Sequence, residues 1–258
     1  MKWLCNMRVC RYYLLIIAVI VFNSCKQNPT EVPIELNTLL AEEMVRDVSL
    51  NPGITVGTFN MLGSVDWNYA LSVPEIDGSK KVPLIIGLHW LEGNEGEQYL
   101  RCLADPGFKK LNAIIFAPDA GDYYFWEEAN YSLILTLIEY AKKYWPIDEN
   151  KIIVSGYSNG GIATWFFGIN YPEIFSAAIP MASYHDYNKK LKIPFYVIHG
   201  ENDELFPLAA TEDIVNLLNN KGSDIQLQVM EGFSHYTACS YNNSLRSASD
   251  WLLSDVWE

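Results

Sequence analysis

Cationic side chains are scarce: 18 Lys and Arg stand against 31 Asp and Glu, for a net charge of −13 at pH 7. That balance excludes a nucleic-acid partner, because phosphate binding needs clustered Lys and Arg. No Cys-x-x-Cys pair or His-rich spacing exists, so a zinc site is not expected. Nor is there a Gly-x-x-x-x-Gly-Lys phosphate loop or a Gly-x-Gly-x-x-Gly after a strand, so no nucleotide, flavin or other cofactor is expected. Repeats and low-complexity blocks are absent. With 50% hydrophobic and 14% aromatic residues, the chain is not disordered, collagen-like or coiled coil. At 258 residues, it has the length of one α/β domain with a sizeable core.

Long apolar runs are short of what a membrane span needs. Tyr12–Phe22 is eleven apolar or aromatic residues, against about 20 for a helix crossing a bilayer. Lys2, Arg8 and Arg11 are the only charges in the first 24 residues, which leaves 18 − 3 = 15 basic against 31 acidic groups beyond them. A basic start, an apolar middle and small or polar Asn23 and Ser24 are the three parts of a secretory signal. Cys25 follows at once, then a polar stretch, Lys26 to Thr30. Val21-Phe22-Asn23-Ser24-Cys25 resembles a bacterial lipoprotein lipobox, although Phe22 and Asn23 are bulkier than its usual residues. The resemblance implies that residues 1–24 leave and that Cys25 is acylated. The protein would then be held by lipid in the bacterial cell envelope, on the periplasmic side or the cell surface. An uncleaved anchor and a plain signal peptide are the alternatives. Of five cysteines, Cys5 and Cys10 leave with the signal and Cys25 takes lipid. Cys102 and Cys239 are then either a disulfide, which an oxidising compartment permits, or two free buried thiols.

Residues 25–50 read as a polar tether with a short lead-in helix, and 51–258 as a single domain. Ile54–Asn60 and Tyr69–Val73 are β-rich and suggest an antiparallel start. Val82–His89 and Ala113–Ala117 are continuous apolar runs, the signature of strands covered on both faces. Leu133, Leu137, Tyr140, Ala141 and Tyr144 mark one face of an amphipathic helix. Lys151–Val154 is the next strand, followed by a helix with Ile162, Trp165, Phe166 and Ile169 on one side. Ala177–Met181, Phe195–His199 and Ile225–Met230 are three more strands, and Asp213–Leu218 and Leu245–Trp251 are helices. This alternation predicts an α/β fold with right-handed crossovers and a mostly parallel sheet flanked by helices. Ligands in such sheets sit at the carboxyl ends of the strands.

The strand Lys151–Val154 runs into Ser155-Gly156-Tyr157-Ser158-Asn159-Gly160-Gly161, and the helical pattern begins at once. This is Gly-x-Ser-x-Gly in strand–turn–helix context, the setting of a nucleophile elbow. A serine hydroxyl needs a base, and the base needs a group that orients it. Asp203 lies just past the strand Phe195–His199, and His235 just past Ile225–Met230. Glu201 and Glu204 compete with Asp203 on the same loop. His185 is expected to be solvated, and His199 to satisfy backbone groups. In the order Ser158, Asp203, His235 the chain resembles the α/β-hydrolase superfamily, from Ile54 to the end. Gly200-x-x-Asp203-x-x-x-Pro207 is similar to its acid loop. That resemblance implies the α/β-hydrolase fold, a catalytic triad, and an oxyanion hole from the backbone N–H groups of Leu91 and Asn159. Trp90 is the alternative to Leu91, since Trp90 stands where the family usually has glycine after the histidine at His89.

Gly156-Tyr157-Ser158-Asn159-Gly160-Gly161 resembles the feruloyl-esterase and polyhydroxybutyrate-depolymerase-like carboxylesterases. It is also similar to the phospholipase/carboxylesterase and dienelactone-hydrolase families, of which the last uses cysteine where this chain has Ser158. The resemblance implies a serine esterase acting through an acyl-enzyme on short-chain or aromatic acyl esters of small molecules or glycans, above all acetyl or feruloyl esters linked to carbohydrate. Trp90, Tyr123, Tyr124 and Trp126 are candidate substrate-binding aromatics, since flat rings suit sugars and phenolic acyl groups; core filling is the competing reading. Lysophospholipase, lipase or peptidase chemistry, and a glycan-binding surface lipoprotein without activity, are the alternatives.

Overall fold

The computed structural model describes residues 38–63, 65–78, 80–91 and 95–258. Cys25, the signal and the first part of the tether lie outside them. The lead-in helix is α1 (Glu42–Arg46), moored where the Trp145 indole N–H donates to the Val45 carbonyl at 2.9 Å.

Eight strands form one sheet: β1 (Gly53–Met61), β2 (Val65–Val73), β3 (Val82–Leu88), β4 (Ile114–Pro118), β5 (Ile147–Tyr157), β6 (Ala177–Met181), β7 (Phe195–Asn202) and β8 (Ile225–Ser234). Their spatial order is β1-β2-β4-β3-β5-β6-β7-β8. β1–β2 and β2–β4 pair antiparallel, and every later pair is parallel. The expected antiparallel start is therefore present, and this is the α/β-hydrolase arrangement. β3 and β4 have their apolar runs covered on both faces, while edge strand β1 is half exposed. On one face Ile85, Ile115, Ile153 and Ile179 meet Tyr99, Leu103, Phe108, Leu245 and Trp251 in one apolar cluster.

One further segment is helical, and the buried faces of two helices differ from expectation. The segment between β3 and β4 is helical: α2 (Gly96–Tyr99) and α3 (Asp105–Phe108) join through a π-helical turn, Leu100–Ala104. Its buried positions recur through the π-turn as Tyr99 and Leu100, Leu103 and Ala104, Gly107 and Phe108, then Leu111, the spacing of one helix face. After β4 comes α4 (Glu128–Tyr144), which buries Ile134, Leu135 and Ile138 beside the expected Leu133, Leu137 and Ala141; Tyr140 and Tyr144 are only half-buried. In α5 (Asn159–Asn170) the buried face is Ala163, Thr164, Trp165, Phe167 and Gly168, and Ile162, Phe166 and Ile169 are half-buried. The helix approaches the sheet so closely that small residues face it: a Cβ on Gly168 would stand 2.6 Å from the Phe195 ring. α6 (Leu208–Asn220) and α7 (Asn242–Trp251) complete the chain, and Cys102 and Cys239 are joined as a disulfide.

Candidate active site

β5 ends at Tyr157, and Ser158 begins the turn into α5 with φ 56° and ψ −114°. A non-glycine residue at positive φ is costly and is kept where the surroundings enforce it. Here the Ser158 N–H donates to the Met181 carbonyl at 3.0 Å, and the Ser158 carbonyl accepts from Ile162 N–H at 2.9 Å. A Cβ on Gly156 would collide with the Gly160 carbonyl, and one on Gly160 with the carbonyls of Leu88 and His89. Both positions must be glycine for the helix to start against the end of β3.

The loops after β7 and β8 bring Asp203 and His235 to this serine. His235 Nε2 lies 2.8 Å from Ser158 Oγ, and His235 Nδ1 lies 2.8 Å from Asp203 Oδ2. The carboxylate accepts only, so Nδ1 carries the proton and Nε2 accepts from the serine hydroxyl. The other oxygen, Asp203 Oδ1, accepts from the N–H groups of Leu205 (3.0 Å) and Phe206 (2.7 Å). Burial would raise the Asp203 carboxyl, but hydrogen bonds from His235, Phe206 and Leu205 more than offset it and hold its pKa below the ordinary value. The competing carboxylates have other partners. Glu204 Oε2 accepts from the His235 N–H at 2.9 Å, and Glu201 Oε2 from the Gly232 N–H at 2.8 Å. All three carboxylates of the acid loop thus grip the loop that carries the base.

Two further histidines are structural. His199 Nε2 donates to the Phe206 carbonyl at 2.7 Å, and its Nδ1 accepts from the Thr211 hydroxyl at 3.0 Å. His199 therefore satisfies backbone and hydroxyl groups, as read from its place. His89 Nε2 accepts from the Ala120 N–H at 3.1 Å, so its Nδ1 carries the proton and donates to the Trp90 carbonyl at 2.6 Å. Burial pushes the His89 pKa down to about 4, against the opposing pull of that carbonyl. The peptide between Trp90 and Leu91 is trans, so fixing the Trp90 carbonyl turns the Leu91 N–H the other way. His185, expected in solvent, is half-buried and its pKa is lowered by that burial.

A cavity of about 850 Å³ opens over Ser158. Trp90, Leu91 and Asn159 line it, whereas Tyr123, Tyr124 and Trp126 do not. Tyr124 and Trp126 stack on each other with centroids 4.7 Å apart, and the Asn130 amide binds the carbonyls of Ala120, Tyr123 and Tyr124. Phe125 from the same loop is buried edge-on against His89. Phe125 thus ties the loop after β4 to His89, while Tyr123 and Tyr124 stand exposed outside the cavity. The apolar wall comes from residues that sequence reading passed over: Tyr157, Phe206, Leu205 and Tyr236, each one to three positions from a triad member. That adjacency was the available signal. Gln98 also lines the cavity; it is on the exposed side of α2, off the apolar repeat that marks the buried face.

Among the described residues no cluster of His, Cys, Asp and Glu could hold a metal ion. The arrangement offers instead a hydroxyl at a strained turn, relayed through an oriented imidazole to an ionised carboxylate, which is a path for moving one proton away from Ser158 Oγ.

Similar proteins share this framework. A solved thermostable esterase superposes with a TM-score of 0.65 at 23% identity, covering 81% of this chain and 64% of that one. The S-formylglutathione hydrolase of Staphylococcus aureus superposes with a TM-score of 0.65 at 14% identity, covering 78% of this chain and 98% of that one. At such identities the likeness speaks for the fold. A protein of Aquifex aeolicus named for carboxymethylenebutenolidase activity is 24% identical over 102 residues, 38% of this chain and 44% of that protein. A secreted protein of Arthroderma benhamiae is 23% identical over 235 residues, 72% of this chain and 25% of that protein. The chain thus spans less than half the length of these curated relatives. The model of the dienelactone hydrolase family matches residues 81–257, every strand from β3 to β8 and all three members of the relay, and the chain belongs to that family of hydrolases.

Proposed function

We propose that the protein is a serine carboxylic-ester hydrolase working through an acyl-enzyme. The observation that carries this is the continuous relay Asp203–His235–Ser158, with both links at 2.8 Å and its serine at the floor of the cavity. Ser158 Oγ attacks the ester carbonyl carbon and its proton passes to His235 Nε2, while Asp203 holds the Nδ1–H tautomer. The oxyanion faces the backbone N–H groups of Leu91 and Asn159; the His89–Trp90 contact fixes the first peptide of that pair. Collapse breaks the C–O bond, and His235 returns the proton to the leaving alcohol. Water then enters, gives its proton to His235 and hydrolyses the acyl-serine by the same steps in reverse.

The substrates are short-chain or aromatic acyl esters, acetyl or feruloyl, carried on small molecules or carbohydrate. Trp90, Tyr157 and Phe206 give the cavity aromatic walls, and Gln98, Thr237 and Ser240 give it neutral hydrogen-bonding groups suited to sugar hydroxyls. The protein reaches such substrates from the cell envelope, held through lipid on Cys25. Fluorogenic acetate and butyrate esters test the core of this reading. Ser158→Ala is expected to lower turnover at least about 10³-fold without unfolding the protein. Undiminished turnover by that variant would remove the relay from the reaction.

A further inference from the structure

We infer that the cavity selects uncharged esters and rejects those that carry a carboxylate close to the scissile bond. This rests on the ester-hydrolase reading above and goes against the carboxylated lactone for which the Aquifex relative is named.

The inference comes from the charges around Ser158. Among the described residues lining the cavity, no Lys, Arg, Asp or Glu occurs, and His235 is committed to Asp203 and Ser158. Glu92-Gly93-Asn94, which follow Leu91 in the chain, contain no cation either. Arg101, three residues beyond the lining residue Gln98, is turned to Glu97, its Nε 2.7 Å from Oε1. Behind the base, Asp203, Glu201 and Glu204 are all gathered onto the β8 loop, two of them on the backbone of Gly232 and His235. A substrate carboxylate entering here would shed water, find no cation, and meet the field of three carboxylates and of a chain carrying −13. A neutral ester meets only amide, hydroxyl and aromatic groups, which hydrogen-bond and pack without charge.

Dimethyl succinate and monomethyl succinate make a matched pair, because they differ by one methyl group and one negative charge at pH 7.5. Release of methanol by the purified full-length protein gives kcat/KM for each. The diester is expected to be preferred about 100-fold, equivalent to about 2.7 kcal/mol, after allowance for its two equivalent ester groups. Gln98→Arg, which places a cation inside the cavity, is expected to narrow that ratio at least about tenfold. A wild-type ratio below about 30, or one that Gln98→Arg leaves unmoved, overturns charge selection by the cavity. Those outcomes leave the esterase reading intact, since the diester is still consumed. Hydrolysis of neither substrate, nor of fluorogenic acetate, would instead take down the esterase reading and this inference with it.

Discussion

The hydroxyl of Tyr157, the residue immediately before Ser158, donates to the backbone carbonyl of His235 at 2.7 Å. The strand that ends in Ser158 therefore also holds the loop that carries its base. Burial, and next the neighbouring Tyr241, push the Tyr157 pKa up, so the group stays a donor through the working pH range. The link is a positioning one, since the hydroxyl touches the backbone of His235 and not the reacting atoms. Tyr157→Phe keeps the ring that lines the cavity and removes this bond together with the hydroxyl's contact to Tyr241. The expected result is a fall in kcat of about tenfold with little change in KM, and a loss of about 1–2 kcal/mol of stability. Steady-state kinetics beside denaturant unfolding separate the two; an unchanged kcat would mean the loop holds its place without Tyr157.

The same loop has a covalent tie. Cys239 lies four residues beyond His235 and lines the cavity, and its disulfide to Cys102 fixes the loop to the π-turn between α2 and α3. The bond closes a loop with a sequence separation of 137 residues. In the chain-entropy account such a closure stabilises by up to about 5 kcal/mol. Cys102→Ser with Cys239→Ser is expected to lower the midpoint of thermal unfolding and also kcat, through a looser base. A double variant that melts earlier but turns over at the wild-type rate would confine the bond's role to stability.

Acid should destabilise the fold in a defined window. His89 is fully buried and its folded pKa is about 4, against 6.5 for the free side chain. Between those values the unfolded state binds the proton and the folded state does not, so stability is whole above pH 6.5 and is lost as pH falls toward 4. The loss attributable to His89 is about 3 kcal/mol across that window. Asp203 acts in the same direction at lower pH: its depressed pKa contributes stability above the ordinary carboxyl value, lost as pH falls through the folded one. His89→Asn keeps a donor for the Trp90 carbonyl without a titrating ring. Its unfolding midpoint should depend less on pH between 6.5 and 4 than the wild type's, and identical slopes would place the acid sensitivity elsewhere.

Cys25 is expected to be the acylated N-terminus of the mature protein. One acyl chain binds membranes only marginally, so stable anchoring requires two or more. Mass spectrometry of the membrane fraction decides this. A peptide beginning at Met1, or an unmodified mature N-terminus, would rule it out.

The strands and the relay were legible because each leaves a local mark: covered strands are unbroken apolar runs, and the elbow is glycine, serine and glycine at fixed spacing. Ser158, Asp203 and His235 could be placed from those marks, as each follows directly on a strand. What stayed hidden depends on contacts between distant segments. Gln98 lies off the apolar repeat of its helix, so nothing in that repeat points it at the cavity. The pairing of Cys102 with Cys239 rests on a Cα separation of 5.1 Å that only the fold creates. On α5 the expected Trp165 is buried, but Ile162, Phe166 and Ile169 are only half-buried, because Ala163, Thr164, Phe167 and Gly168 share the inward side where the helix comes close to the sheet. Tyr123, Tyr124 and Trp126 looked like a cleft because they follow a strand, as His235 does, but Asn130 folds their loop back onto the molecule.

That last correction changes which aromatic should govern substrate choice. Trp90 lines the cavity and meets Tyr99 and Tyr157 edge-on, each with ring centroids 6.3 Å apart, so its indole is fixed beside Ser158. Tyr236, 75% exposed, stands at the mouth. An aromatic acyl group or sugar ring gains stacking energy only from rings that face it, about 0.5–1.5 kcal/mol per contact beyond burial. Trp90→Ala and Tyr236→Ala are therefore expected to lower kcat/KM for methyl ferulate by several-fold to tenfold more than for a small soluble acetate. Trp126→Ala, outside the cavity and stacked on Tyr124, should move both substrates together and by less. Running both esters against all three variants in one series guards against misfolding, which would depress them in parallel. A selective loss of ferulate turnover in Trp126→Ala alone would return the loop after β4 to the binding site. Faster turnover of palmitoyl than acetyl esters by the wild type would replace the short-acyl reading with a lipase one, because an open cavity of about 850 Å³ gives a long tail little wall to be buried against.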